Sequence, residues 1–324
     1  MVGKKEIDVV SLGELLIDFT LNGVTEQGNQ LFEANPGGAP CNVLSILQNL
    51  GKKTCFIGKV GNDQFGHLLK NTLEEIGIGT ENLVMDEEIN TTLAFVHTAP
   101  DGDRSFSFYR KPGADMMLTE GEIKEEIIKS GSIFHFGSLS MTDECVRNAT
   151  EKAIKIAKDN KLLISFDPNL RPPLWKSLEE AKTRILYGFS QCDILKIADE
   201  ELQFVTGHND IEQGIKAIKK NYDIKLILVT RGKLGSKAFY KDISIEQKGF
   251  IQKNTIDTTG AGDTFCGCIL NYVLEHGFND YTEESLIEML TFANAASSIV
   301  TTRRGAIRSM PSKEEITSFI SKFN

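Results

Sequence analysis

The sequence predicts an α/β protein: a mostly parallel central sheet with helices on both faces, and a small β element added to it. Three observations predict this. Short apolar runs alternate with helical patterns along most of the 324 residues, which is the rhythm of βα units and their right-handed crossovers. One segment, 91–109, breaks that rhythm with period-two alternation, as expected of an antiparallel hairpin. Near the C-terminal end, Asp257-Thr-Thr-Gly-Ala-Gly-Asp263 opens a helical pattern of small and apolar residues, a form suited to the phosphate-binding start of a buried helix.

Taken in order, residues 7–12 form a buried-type strand followed by Gly13-Glu14-Leu15-Leu16-Ile17-Asp18-Phe19. Ligands of open parallel sheets gather beyond the carboxyl ends of strands. Asp18 is therefore a candidate substrate contact, with a solvated loop acid as the alternative. Asn35-Pro-Gly-Gly-Ala-Pro-Cys-Asn42 then leads into a helical pattern over 43–50. Gly37 and Gly38 let backbone approach a small ligand, while Asn42 sits where a helix N-cap belongs. A strand is expected at 54–60 and a helix at 64–76, ended by Gly77.

The hairpin comprises 91–97 and 104–109, joined by 99–103, and its Phe106 and Phe108 require covering. A flap over a site or a dimer face would both use it. The βα rhythm resumes with a helix at 120–129, a strand at 133–136, a helix at 142–159 and a strand at 162–166. Asp167-Pro-Asn-Leu-Arg171 follows at a carboxyl edge, where Arg171 can pair with phosphate. A helix at 177–189, a strand at 194–197 and the acidic run Asp199-Glu-Glu201 come next. Such a run either decorates a helix start or orients the waters of a Mg²⁺ ion. A strand at 225–230 ends in Arg231-Gly-Lys-Leu-Gly235, a turn suited to a nucleotide. Two short strands (237–240, 244–249), the glycine-rich helix, a long helix at 283–302 and a terminal helix complete the chain.

The first amides of a helix lack intrahelical partners and lie at the positive end of its dipole, so Gly260–Gly262 offer an anion cradle. Asp263 opposes an anion there. Its chemical reason would be general-base catalysis; stabilising the helix start is the alternative. The string is not a Walker A loop, which needs Lys after its second glycine. Nor is it a dinucleotide fingerprint, because Phe265 stands where the third glycine belongs.

A formal charge of −9 argues against general nucleic-acid or anionic-membrane binding. No apolar run reaches the ~18 residues of a membrane span, and charges near Met1 occupy the place of a signal peptide's apolar region. Six scattered cysteines and five dispersed histidines lack the spacing of metal or redox motifs. The expected compartment is the cytoplasm.

Together, Pro36-Gly-Gly-Ala-Pro-Cys-Asn42 and Asp257-Thr-Thr-Gly-Ala-Gly-Asp263 resemble the two signatures of the ribokinase-like (PfkB) carbohydrate kinases, over essentially the whole chain. Phe108-Tyr-Arg-Lys-Pro-Gly-Ala-Asp115, 134–140 and 166–175 resemble fructokinases in particular. The resemblance implies one three-layer, Rossmann-like ribokinase-type domain over 1–324. A β lid would be inserted from about 14–34 and 90–112, with a homodimer formed through it. It implies that Asp263 activates a sugar hydroxyl while the amides of Gly260, Ala261 and Gly262 hold the transferring phosphoryl group of ATP. Asp18, Gly37, Gly38, Asn42, Phe108, Arg110 and Arg171 would face the sugar. Thr230, Gly232, Gly235 and Asn294 would face the nucleotide. Mg²⁺ would be organised through water by Glu201, and K⁺ by Asp257, Thr259, Gly305 and Ser309. The chain departs from many relatives at Ala198, where they carry Asn. Ribose, 2-keto-3-deoxygluconate, tagatose and an aminoimidazole riboside are the alternative substrates, and an idle sugar- or nucleotide-binding protein is the alternative of another class.

Overall fold

The computed structural model describes residues 5–98 and 104–323. Seven strands run parallel in the main sheet: β1 (Ile7–Leu12), β4 (Thr54–Gly61), β5 (Gly79–Asp86), β8 (Gly131–Gly137), β9 (Leu163–Asp167), β10 (Ile194–Ala198) and β11 (Leu226–Thr230). Two more, β12 (Ser236–Tyr240) and β13 (Ile243–Gln247), add on antiparallel, giving the order β13-β12-β11-β10-β9-β8-β1-β4-β5. Side chains alternate across each strand, so neighbours enter opposite cores. Val9, Leu226 and Leu228 join one cluster, whereas Val10, Ile227 and Val229 join the other.

The first cluster packs against α1 (Ala39–Asn49), α2 (Gln64–Ile76), α8 (Ala261–His276), α9 (Glu283–Val300) and α10 (Lys313–Ile320). The second packs against α3 (Glu125–Lys129), α4 (Glu144–Asp159), α5 (Leu178–Gln191), α6 (Asp199–Thr206) and α7 (Ile211–Asn221). These two helical faces and the sheet between them make three layers, with helices on both faces as expected from the βα rhythm. α8 lies at the centre of its face, with Asp263–Val273 all buried and helices α1 and α9 packed against it.

The small sheet is larger than a hairpin. It has the order β3-β2-β6-β7, from β2 (Leu16–Val24), β3 (Gln30–Gly37), β6 (Leu93–Thr98) and β7 (Arg104–Tyr109). Its central pair, β2 and β6, is parallel. β3 reaches Gly37, so Asn35 and Pro36 belong to a strand and not to a loop. Pro36 is tolerated there because β3 is an edge. An aromatic cluster fastens this sheet to the body: Phe19 stacks on Phe95 at 4.9 Å and meets Phe65 of α2 edge-on at 5.6 Å. The turn at 99–103 and the Phe106 side chain lie outside the described residues, as does the N-terminal Met1–Lys4 stretch.

β5 and α7 carry no expectation from the sequence reading. β5 is an edge strand rich in polar residues, GTENLVMD. α7 begins at Asp210, whose carboxylate caps Gln213. Residues 120–122 form a 3-10 turn capped by Thr119, and the helix expected from 120 starts only at Glu125.

Candidate active site

Because the seven strands of the main sheet other than β12 and β13 are parallel, their carboxyl ends share one edge. The small sheet stands beside it. Between them lies a cavity of about 460 Å³ lined by Glu14, Asp18, Gly38, Asn42, Phe108, Arg171, Lys196, Glu201, Thr230, Gly260, Gly262 and Asp263, among others.

Gly260 is the residue before α8 and adopts φ 77°, a left-handed value that glycine takes without strain. This turns the chain so that Gly262 and Asp263 face the cavity. Ala261 does not line it, and its amide donates to the Thr258 carbonyl at 3.3 Å. Of the three expected cradle residues, Gly260 and Gly262 are therefore the ones on the wall.

Asp263 is buried, and its Oδ2 accepts a hydrogen bond from Asn42 Nδ2 at 2.7 Å. The two expected signatures thus meet in one contact across the site. Asn42 Oδ1 is buried with no hydrogen-bond partner among the described residues, an acceptor that a ligand hydroxyl would satisfy. Burial, followed by the charge of Asp167, pushes Asp263 up to about 6, against the Asn42 bond and the cations Lys196 and Arg171. Burial also raises Asp18 to about 7, with Asp257 and Asp263 adding to the effect and Arg171 opposing it.

Gly37 and Gly38 have separate reasons. A Cβ on Gly37 would stand 2.5 Å from Asp18 Oδ2, so its absence seats that carboxylate. Gly38 has φ 128°, and a Cβ there would strike the Glu14 carbonyl. Glu14 Oε1 in turn accepts the Ala39 amide at 3.1 Å.

Several expected contacts are placed elsewhere. Arg110 is buried away from the wall: its Nη2 pairs with Asp115 at 2.7 Å, and its Nη1 donates to Thr142 at 2.9 Å. It fastens the end of β7 to the body. Asn294 is also structural. Its amide accepts from Ser236 and donates to the Gln247 and Lys248 carbonyls, which locks α9 to β12 and β13. Gly232 and Gly235 shape the turn after β11 outside the cavity wall, whereas Thr230 lines it. Phe108 is half-buried on the wall.

Glu201 reaches the cavity, but its oxygens accept the Leu170 and Ala198 amides at 2.7 and 2.8 Å. That leaves it a water-bridged part in any metal site. Among the described residues no three His, Cys, Asp or Glu side chains converge as a metal-binding group. Asp257, Thr259, Gly305 and Ser309 do come together: Asp257 accepts the Thr259 amide at 2.8 Å and the Gly305 amide at 3.4 Å, and Ser309 donates to the Gly305 carbonyl at 3.0 Å.

The model of the pfkB family carbohydrate kinases matches residues 6–313. The chain belongs to this family. Among curated relatives of this pfkB kinase, fructokinase-1 of Zea mays is 42% identical, the match covering 97% of this chain and 98% of the relative. Among solved structures, a fructokinase of Xylella fastidiosa with bound ATP has a TM-score of 0.88 at 31% identity, covering 98% of each chain. A fructokinase of Vibrio cholerae bound to fructose, ADP and a calcium ion has a TM-score of 0.86 at 30% identity, covering 97% of this chain and 99% of the other.

Sequence reasoning missed Lys196 in this kinase. Its signal was a lone cation inside the apolar run Ile194-Leu-Lys-Ile197, at a position where a strand between two cores should be apolar. It also passed over Glu14 as a wall residue. All six cysteines are free thiols. No helix among the described residues is long and apolar enough to cross a membrane.

Proposed function

We propose that this pfkB kinase transfers the γ-phosphoryl group of ATP to the 6-hydroxyl of D-fructose. The observation that carries the proposal is Asp263: a buried carboxylate at the glycine-rich start of α8, bonded to Asn42 and facing a cavity. Fructokinases sharing about two-fifths of its residues support the sugar. In this reading Asp18 and Asn42 hold sugar hydroxyls, Asp263 takes the proton of the attacking hydroxyl, and the first turn of α8 receives the phosphoryl group. Arg171 and Thr230 lie toward the nucleotide. Mg²⁺ enters with ATP, neutralising phosphate charge when bound, with Glu201 acting on its waters. The oxygen-lined loops at 257–259 and 305–309 fit a K⁺ ion. The chain acts as one unit in the cytoplasm, with the small sheet as its lid. The lid's exposed Leu21, Val24, Leu31 and Phe32 form the contact of a homodimer.

The test is ADP release at saturating MgATP with fructose, ribose, 2-keto-3-deoxygluconate, tagatose and glucose in parallel. Fructose is expected to give the highest kcat/KM. Preference for another sugar overturns the substrate, and no ADP with any of them overturns the kinase reading. Asp263→Asn is expected to bind fructose with kcat lower by at least ~10²-fold, the scale of general-base catalysis. Wild-type turnover by a folded Asp263→Asn variant removes Asp263 from the mechanism.

A further inference from the structure

Lys196 lies in β10 between Leu195 and Ile197, both wholly buried, and is itself only 6% exposed. The side-chain alternation that sends Ile194 toward α8 sends Lys196 the same way. It reaches the cavity wall. A Cβ built on Gly262 would stand 3.0 Å from Lys196 Nζ, so the ammonium sits directly against the first turn of α8.

Stability alone does not account for this placement. A buried ion pair is often no better than apolar residues of similar volume, and every neighbour of Lys196 on β10 is apolar. Its ion-pair partner is Asp167 Oδ2 at 2.9 Å. Asp167 is 2% exposed, and this oxygen has no aligned hydrogen-bond donor among the described residues. An ammonium carries three donors, which leaves capacity for a ligand after one carboxylate is served. His135, packed nearby and bonded to Ser165 at 3.0 Å, is held neutral by burial and adds no charge.

The cavity wall sharpens the point. It carries the carboxylates of Glu14, Asp18, Glu200, Glu201 and Asp263, and among its described residues only Lys196 and Arg171 as cations. Arg171 is partly exposed and donates to its neighbour's carbonyl, that of Leu170. Lys196 is the fixed cation at the place where a phosphoryl group meets the helix start.

Resting on the phosphotransferase reading above, we infer that Lys196 is a catalytic residue whose ammonium donates hydrogen bonds to the phosphoryl group as it passes over the first turn of α8. In that step the sugar O6–P bond forms and the bond from the γ-phosphorus to the bridging oxygen breaks. ADP leaves with the electron pair, and the hydroxyl proton passes to Asp263. Lys196 keeps its proton throughout, and Asp167 holds it in place. A Cβ at Gly262 would crowd the ammonium, which stands 3.0 Å from that position.

The test compares wild type with Lys196→Gln and with the charge-balanced Lys196→Gln/Asp167→Asn, which leaves no buried carboxylate unpaired. Both are expected to lower kcat by ~10²–10³, the scale of one preorganised donor. Fructose affinity by calorimetry should stay within about threefold. With fructose present, wild type should bind ADP plus aluminium fluoride far more tightly than ADP alone, and the variants should lose most of that gain. A folded double variant turning over within threefold of wild type overturns the inference, as does an unchanged aluminium fluoride gain. Should both variants fail to fold, a wild-type crystal with fructose, ADP and aluminium fluoride decides. Nζ within about 3.2 Å of a fluoride supports the role, and a longer separation overturns it. Wild type inactive on every sugar would overturn the kinase reading itself; active wild type beside an indifferent variant overturns only the role of Lys196.

Discussion

At the scale of single residues, the site is built from groups that cost stability. Asp18 and Asp263 have folded-state values raised to about 7 and about 6. A carboxyl group raised on folding favours the native state at low pH and loses that contribution as pH climbs through the raised value. Asp18→Asn should therefore raise the melting temperature of ligand-free protein at pH 8 by roughly 2 °C or more, with the gain shrinking below pH 5, while sugar turnover collapses. A gain that persists at pH 4 would assign the effect to something other than this charge. For catalysis the sign reverses, because the proposed mechanism uses Asp263 as the ionised base. kcat/KM should fall below a midpoint near pH 6, and that limb should be absent from the residual activity of Asp263→Asn.

That Asp263, Asn42 and the glycine-rich turn before α8 are special positions was legible in the sequence, because unusual backbone shape and polar chemistry coincide there. Gly260 needs its left-handed turn, and a carboxylate at the start of an apolar helix stands out. The intramolecular partners of Arg110 and Asn294 were not legible, because sequence shows a polar residue without showing what it touches. Thr142 and the carbonyls of residues 247 and 248 lie on other segments. Lys196 was passed over for the same reason: its meaning rests on Gly262, more than sixty positions away.

At the scale of elements, the parallel strands and the long amphipathic helices were readable, and α2 ends where expected, at Gly77 in the left-handed conformation. β2 and β3 were not readable as strands from the residue pattern, and only the family resemblance set a β lid over about 14–34. Pro36 and Gly37 punctuate β3, and only its edge position makes them admissible. The element that depends most on one residue is the turn into α1. Gly38→Ala should cost about 1–3 kcal/mol of stability, from a left-side φ and a strike on the Glu14 carbonyl, and should also weaken fructose binding. Gly51→Ala is the control. It shares a positive φ but has nothing within 4 Å, so it should cost about 1–2 kcal/mol and leave binding alone. Urea midpoints with matched calorimetry separate the two. Equal effects on binding would deny Gly38 its place at the site.

At the scale of the whole molecule, the small sheet leaves Leu21 51%, Val24 65% and Leu31 46% exposed, while its other contacts reach back into the body. Arg304, in the loop after α9, donates to Asn22 at 2.5 Å. A homodimer through this sheet should sediment as a single species of twice the chain mass, and Leu21→Asp with Leu31→Asp should shift it to one chain. Wild type sedimenting as a monomer at micromolar concentration would reject the dimer. The Asn42–Asp263 bond closes over 221 positions of chain, and α8 is both the floor of the site and the centre of one core. During synthesis, then, a ribosome that has made everything through β13 has produced every strand of the main sheet, while α8, α9 and α10 are still missing from the face that α1 and α2 cover only in part. That nascent chain cannot assemble its site, and it presents a sticky surface until α8 and α9, which ends at Val300, emerge.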